Sequence, residues 1–442
     1  MKRDYDFDTE NYLLNVKVSK RLEDLLTGES QLDATTVGRV LRRADGSLVL
    51  YHNGSEIKLE INNRLGNLSI GDVVQVKGDY VKTSDQRKFV ATEARLYSKC
   101  INPFPDKVKS ENTGGLNLLI NPNKRETILL RSRVLKIIRS FLDTNGFVEV
   151  ETPILQYYPD GAPVSTFKTE YNGKGHEYHL RICPEEFLKR LTLGIDRVYE
   201  IAKCFRNSDR SKKHNPEFTM LEFYAAFTTF EDTMKWTEQL VEKIALETKG
   251  TTKLKFEGYE IDVKTPWKKI SVQDISRESY GFDPLSASDE DLRKVLGEDE
   301  ELPRGALLTR FIEDKLEGLF IQPTFLTYYP LGVGAPDKPS RVYPGTMERC
   351  EAFVAKGFEL ANIGSINNDP LFLDRHNRNN LVNKFGEGNV EKYLDRDFLY
   401  EVGFGLPPLA CSGIGIDRLV MLLANKEDIK DTIAYPFKVG EK

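Results

Sequence analysis

No run in this 442-residue sequence comes near the roughly 18 uninterrupted apolar residues that a membrane-crossing helix needs. The opening MKRDYDFDTENYLLN also lacks the apolar core of a secretory signal, so a cytoplasmic protein with no membrane partner is expected. Cysteine is scarce: Cys100, Cys183, Cys204, Cys350 and Cys411 are scattered, with no CxxC pair. That spacing argues against a thiolate metal cluster or a disulfide framework and fits a reducing compartment. Net positive charge is missing too. A formal charge of −5 argues against a purely electrostatic nucleic-acid binder.

The charge is unevenly spread. Between Thr35 and Lys99 eleven basic residues face seven acidic ones, a local surplus of +4 that leaves −9 for the remainder. A small basic module on an acidic body hints at an anionic partner, although an ordinary solvated β-domain accounts for the charge equally well. The same stretch reads as five short strands, TTVGRVLRR, SLVLYHNGS, EIKLEI, DVVQVKGDYVKT and KFVATEARLY. Five strands in so short a span favour a small closed barrel of the OB type. The following KCINPFPDKVKSENTGGLNLLINPNKR is rich in Pro, Gly, Asn and Lys, which marks a linker. A helix from about Glu126 to Asp143 carries an apolar stripe, TNG ends it with a left-handed glycine at Gly146, and the strand FVEVETPIL follows. Strands interrupted by helices without a βαβα rhythm favour an α+β domain. The expected plan is an extension over 1–34, the barrel over 35–99, a linker over 100–125 and a catalytic domain over 126–442. Within the last, SASDEDLRKVLGEDEEL reads as an acidic surface helix.

The stretch CFRNSDRSKKHNPEFTMLEFY carries the first chemical signal. Its polar, lysine-rich middle is flanked by segments alternating with a period of two, which reads as two half-buried strands joined by a long hairpin. Phe218, Met220, Glu222 and Tyr224 share one face of the outgoing strand. A carboxylate beside an aromatic and a phenol is costly as plain core, so that face is expected to line a pocket.

At this point three blocks resemble a known family. GFVEVETPIL is similar to motif 1 of the class II aminoacyl-tRNA synthetases, FRNSDRSKKHNPEFTMLEFY to motif 2, and GIGIDRLVML to motif 3. They fall at about 130–155, 198–227 and 407–424, and RICPEEFLKRL and ERCEAFVAKGFELAN between them resemble the lysine branch of the aspartate/asparagine/lysine subclass. The resemblance implies an antiparallel-sheet catalytic domain behind an anticodon-binding OB-fold, ATP and an amino acid as substrates, tRNA as partner, Mg2+ as cofactor, and a homodimer. Arg206 matches the motif 2 arginine that bridges the substrate carboxylate and the α-phosphate, two anions that a guanidinium fork can hold bidentately. Phe218 and Arg418 match the two faces of an adenine sandwich, worth ~0.5–2 kcal/mol by cation–π contact. His214 matches a contact to the terminal phosphates, and Glu351 and Glu359 match paired carboxylates that hold Mg2+. Gly161, Glu222 and Tyr224 match positions around the bound amino acid, the first two near its α-ammonium, and Glu185 matches an acidic position of the lysine pocket.

Four departures bear on specificity. Where lysine enzymes of this class read E-I-A-N-x-F-S-E-L-N-D, this chain has ELANIGSINND: Asn362 is retained, Gly364 replaces the aromatic and Ile366 replaces the glutamate that faces the lysine ε-ammonium. An ammonium left half-paired there costs on the order of 3–5 kcal/mol, about two to four orders of magnitude in affinity. Ala410 and Cys411, in PPLACSG, stand where glycines are usual, so the amino-acid pocket is expected to be reshaped, with Glu185 the remaining acid for a polar or amino-bearing side chain less cationic than lysine. Ser208 takes the glutamate position of motif 2, with Asp209 as the neighbouring acid. The barrel lacks the usual stacking phenylalanine, leaving Tyr51, together with Arg39, as candidate nucleic-acid contacts. Three readings stand: a lysine-type tRNA ligase; a paralogue with another amino acid, transferring it to a protein, carrier or small molecule; and a catalytically weakened binding or regulatory protein, to which Ser208 points.

Overall fold

A computed structural model describes residues 19–42, 48–61, 68–102, 104, 114–159, 164–173, 175–297, 301–334 and 337–437. The chain divides into two compact units, Met1–Pro122 and Asn123–Lys442.

In the first unit, β1 (Gln31–Arg42), β2 (Leu48–His52), β3 (Ser55–Ile61), β4 (Val73–Lys82) and β5 (Arg87–Ser98) close into a barrel in the order β1-β2-β3-β5-β4. All five expected strands are present, and the order is consistent with an OB-fold. The barrel begins before Thr35: β1 starts at Gln31, and the helix Leu22–Thr27 places Leu22 and Leu25 in the barrel core. Two closely packed strands explain Gly78, where a Cβ would lie 2.1 Å from the Val90 carbonyl oxygen. Arg39 and Tyr51 are direct cross-strand partners, both half-buried, and Arg39 Nη1 donates to the Gly71 carbonyl at 2.6 Å. In the stretch expected as a linker, Gly114–Ile120 forms a short helix.

The second unit is built on an eight-stranded sheet. Lys268–Ser271, Thr324–Thr327, Arg349–Val354, Phe358–Ile366, Leu409–Gly415, Glu217–Ala226, Arg197–Phe205 and Val148–Glu149 lie side by side in that order. The central pairings are antiparallel and the two outermost are parallel. Period-two alternation splits the sheet's residues between two faces. Leu221, Phe223, Ala225, Ile363 and Ile414 join the main hydrophobic core on one face, with the helices Pro122–Thr144, Phe230–Lys249 and Ile416–Ala424. The opposite face mixes glycines, carboxylates and larger side chains such as Phe218, Met220 and Tyr224, and there the cavity forms.

The 230–249 helix starts at a capping box, with the Asp232 carboxylate accepting from the Thr229 backbone N at 3.1 Å, and ends at Gly250 with φ +70°. Replacing Asp232 by alanine orphans that N–H, and urea unfolding is expected to show a loss of about 1 kcal/mol. The expected acidic surface helix forms over Asp289–Leu296 and is anchored through buried Leu292.

Candidate active site

The expected motif 2 hairpin forms, paired from Arg197 opposite Ala225 to Phe205 opposite Glu217. A cavity of about 300 Å3 runs along its outgoing strand. The register sets its residues in rows: Met220 beside Gly415; then Glu222, Gly413 and Asn362; then Tyr224, Cys411 and Gly364. Phe218, Arg206, His214 and Arg418 line one end, and Glu185, Ile366 and Asp337 line the other. Glycines at 413 and 415 leave the middle of the floor open.

At the first end, the Arg206 guanidinium lies 5.0 Å from the centroid of the Phe218 ring, and its buried Nε has no hydrogen-bond partner among the described residues. Arg418 donates to Glu359 Oε2 at 2.8 Å and, through Nη2, to His214 Nε2 at 3.0 Å. Burial, and then the Arg418 charge, lower the His214 pKa, so the imidazole is neutral. Its Nε2 accepts from Arg418, which places its proton on Nδ1, 2.8 Å from Ser211 Oγ. Beneath this end, Asp417 joins all three motifs: Oδ1 accepts from Arg131 of the first helix at 2.5 Å, and Oδ2 accepts from the Thr219 backbone N at 2.7 Å.

Glu359 lines the cavity, whereas Glu351 lies deeper, receiving Arg349 Nη2 at 2.5 Å and the Tyr329 hydroxyl at 3.0 Å. A third acid stands with them. Burial, and then Glu351 and Glu359, push the Glu317 carboxyl up to about 8. Among the described residues no group of three His, Cys, Asp or Glu side chains alone forms an ion site. Glu359, facing the cavity, and Glu351 behind it are hard oxygen donors of the kind that would hold magnesium together with a bound nucleotide.

At the other end, the Tyr224 hydroxyl donates to Glu222 Oε2 at 3.0 Å. Glu185 is engaged by the buried Lys189 ammonium one helical turn away. Burial alone would raise the Glu185 pKa, but Lys189 and then Arg349 outweigh it and the carboxyl is held below its usual range. Burial, followed by Asp337, Glu185 and Glu222, raises the Cys411 pKa well above that of an ordinary thiol, so Cys411 is a neutral side chain and not a nucleophile.

Most of the expected residues thus converge on one cavity. Ala410 does not. Strand alternation turns it to the helix face with Ser412, whose hydroxyl lies 3.0 Å from Thr237 Oγ1, so the pocket contact expected of Ala410 is not made and Cys411 alone of that pair reaches the cavity. Gly161 lies outside the described residues. Ser208 lines the cavity, but Asp209 is exposed and does not. Asp337, Lys213 and Asp417 line it without having been expected from sequence. For Asp337 the available signal is a lone acid in the Gly/Pro-rich stretch LGVGAPDKPS.

The family described as "tRNA synthetases class II (D, K and N)" matches residues 112–439. The chain belongs to this family. The synthetase is 37% identical over 410 residues to a lysine–tRNA ligase of Pelotomaculum thermopropionicum, covering 88% of this chain and 80% of that one. It is 35% identical to a lysine–tRNA ligase of Fervidobacterium nodosum, covering 95% and 87%. A lysine–tRNA ligase of Methanoculleus marisnigri is also 35% identical, covering 98% and 90%. The protein is accordingly a class II synthetase-type ligase, similar to the lysine branch. No helix among its described residues is long and apolar enough to cross a membrane.

Proposed function

We propose that this synthetase activates an amino acid with ATP as an aminoacyl-adenylate and transfers the aminoacyl group to tRNA. The observation that carries the reading is the buried Nε of Arg206, without a hydrogen-bond partner among the described residues, in a cavity with an aromatic–guanidinium end and a carboxylate-lined end. An amino acid whose side chain lies at the acidic end turns its carboxylate toward Arg206, beside the α-phosphate of a nucleotide whose adenine lies between Phe218 and Arg418. A carboxylate oxygen bonds to the α-phosphorus, and the bond from that phosphorus to the bridging oxygen breaks, releasing pyrophosphate. Arg206 neutralises both reacting anions, and its fixed guanidinium opposes the charge that builds on the α-phosphoryl oxygens. His214 and Arg418 take the leaving pyrophosphate. Glu351 and Glu359 would hold Mg2+, which when bound supplies charge neutralisation on the phosphates.

The chain's similarity to lysine–tRNA ligases over most of its length, and the basic surplus of the barrel, support tRNA as the acceptor. Leu129, Val148, Ile154 and Leu155 are more than two-fifths exposed in the motif 1 region, an apolar set that favours a homodimer through that face. Light scattering is expected to give twice the 50.5 kDa of one chain. A second reading, a paralogue that uses another amino acid and passes it to an acceptor other than tRNA, is favoured by Ile366 in the cavity wall. Amino-acid-dependent ATP–pyrophosphate exchange, followed by charging of bulk tRNA, separates them. Exchange with charging supports the first reading, exchange without charging the second, and no exchange with any amino acid contradicts both.

A further inference from the structure

The acid missing at position 366 is replaced from elsewhere in the fold. Gly364 has no positive φ, so its backbone does not demand glycine. Its missing side chain has another cause. A Cβ on Gly364 would lie 2.2 Å from Asp337 Oδ1 and 2.6 Å from its Cγ, closer than any real contact. The bare backbone at 364 is what lets the Asp337 carboxylate lie against the sheet, where Asp337 forms an isolated bridge with Ile366. The two positions are a matched pair, and the space left by the absent aromatic holds a carboxylate.

Asp337 is only 4% exposed, yet its carboxylate makes no hydrogen bond among the described residues. Its nearest cation is Arg349 Nη1 at 3.6 Å, and the same guanidinium holds Glu351 at 2.5 Å. One guanidinium therefore serves two acids. Every other group at this end is neutral or already matched: Glu185 is taken by Lys189, Cys411 is an uncharged thiol, and Ile366 is apolar. Glu222 stands one row nearer Arg206. Burial pushes the Asp337 carboxyl up to about 7, Glu185 and Glu351 add to the rise, and Arg349 and the Glu185-paired Lys189 pull against it without cancelling it. A buried carboxylate lining a cavity with so little compensation is stabilised by a cation that enters the cavity and donates to it.

We propose that Asp337 is the acid that selects the substrate, and that the substrate is an amino acid whose side chain carries an ammonium group placed to meet Asp337 rather than position 366. The proposal rests on the amino-acid-activation reading above and narrows it. It also revises the expectation of a side chain less cationic than lysine. The cationic class is kept, and the point of attachment has moved to the Gly364 side of the pocket, so the chain length or branching of the preferred amine differs from that of an amine that reaches position 366.

The test is the kcat/KM of ATP–pyrophosphate exchange for lysine, ornithine, 2,4-diaminobutyrate, β-lysine and the neutral norleucine, with the full chain and with Asp337→Asn and Asp337→Glu. The wild-type chain is expected to use one of the amines and to leave norleucine inert. Asp337→Asn, which keeps the size of the side chain, is expected to lower kcat/KM for that amine by about 10²–10⁴-fold through loss of the counter-charge. Asp337→Glu is expected to restore use of an amine, with the preference moved toward a shorter side chain, a result that misfolding would not produce. Preference for norleucine in the wild type, or an Asp337→Asn variant within threefold of wild type on the same amine, would overturn the proposal and leave amino-acid activation standing. Absence of exchange with every substrate would instead overturn activation itself.

Discussion

Arg206→Gln is expected to lower the kcat of amino-acid-dependent ATP–pyrophosphate exchange by roughly 10²–10³-fold, the range for removing a preorganised donor aimed at developing charge. The variant keeps an unbranched polar side chain and the strand pairing, since the residue 206 backbone N still donates to the Pro216 carbonyl, as Arg206 does at 2.9 Å. What it removes is the guanidinium 5.0 Å from the Phe218 ring, a group whose buried Nε has no hydrogen-bond partner among the described residues. An arginine that held the hairpin together would have that nitrogen satisfied, and its loss would appear in the urea midpoint. Here the midpoint is expected to stay near wild type while kcat falls. An unchanged kcat with a lowered midpoint would reassign Arg206 to a structural role.

Asp417→Ala is expected to act the other way round. Asp417 is 2% exposed and accepts from both Arg131 and the Thr219 backbone N. Removing one partner of a buried, hydrogen-bonded ion pair costs about 3–5 kcal/mol, because the remaining charge keeps its desolvation penalty without its compensation. Arg131 retains some contact with water, at 15% side-chain exposure, so the lower part of that range is expected. Urea unfolding measures the loss directly. Activity should fall with it, since Asp417 ties the strand bearing Phe218 to the helix bearing Arg418. A stability within 0.5 kcal/mol of wild type would contradict the view that Asp417 fastens the three motifs to one another.

The strands that carry the site were legible because alternation is a local property. The face shared by Phe218, Met220, Glu222 and Tyr224 follows from period two alone, and the structure gives all four to one cavity. The barrel's five strands were legible for the same reason, although β1 begins earlier because the preceding helix caps the barrel core with Leu22 and Leu25. Parity within one strand also decides between Ala410 and Cys411: two adjacent residues cannot both face the cavity, and only the register with Glu222 and Asn362 says which one does. Asp337 was not legible. Its role depends on a contact across the fold to Gly364, from a loop whose Gly and Pro content reads only as a turn. Neither residue is informative alone, because a glycine in a strand and an acid in a loop each have many ordinary causes.

The central claim is that this cavity joins an amino-acid carboxylate to the α-phosphorus of ATP. The most direct measurement is oxygen transfer, using the preferred amino acid labelled with 18O in its carboxylate and mass analysis of the AMP released when the aminoacyl group is passed to its acceptor. The account predicts that AMP carries one labelled oxygen and that pyrophosphate carries none. Unlabelled AMP, or label found in orthophosphate, would place the attack on another phosphorus and contradict it.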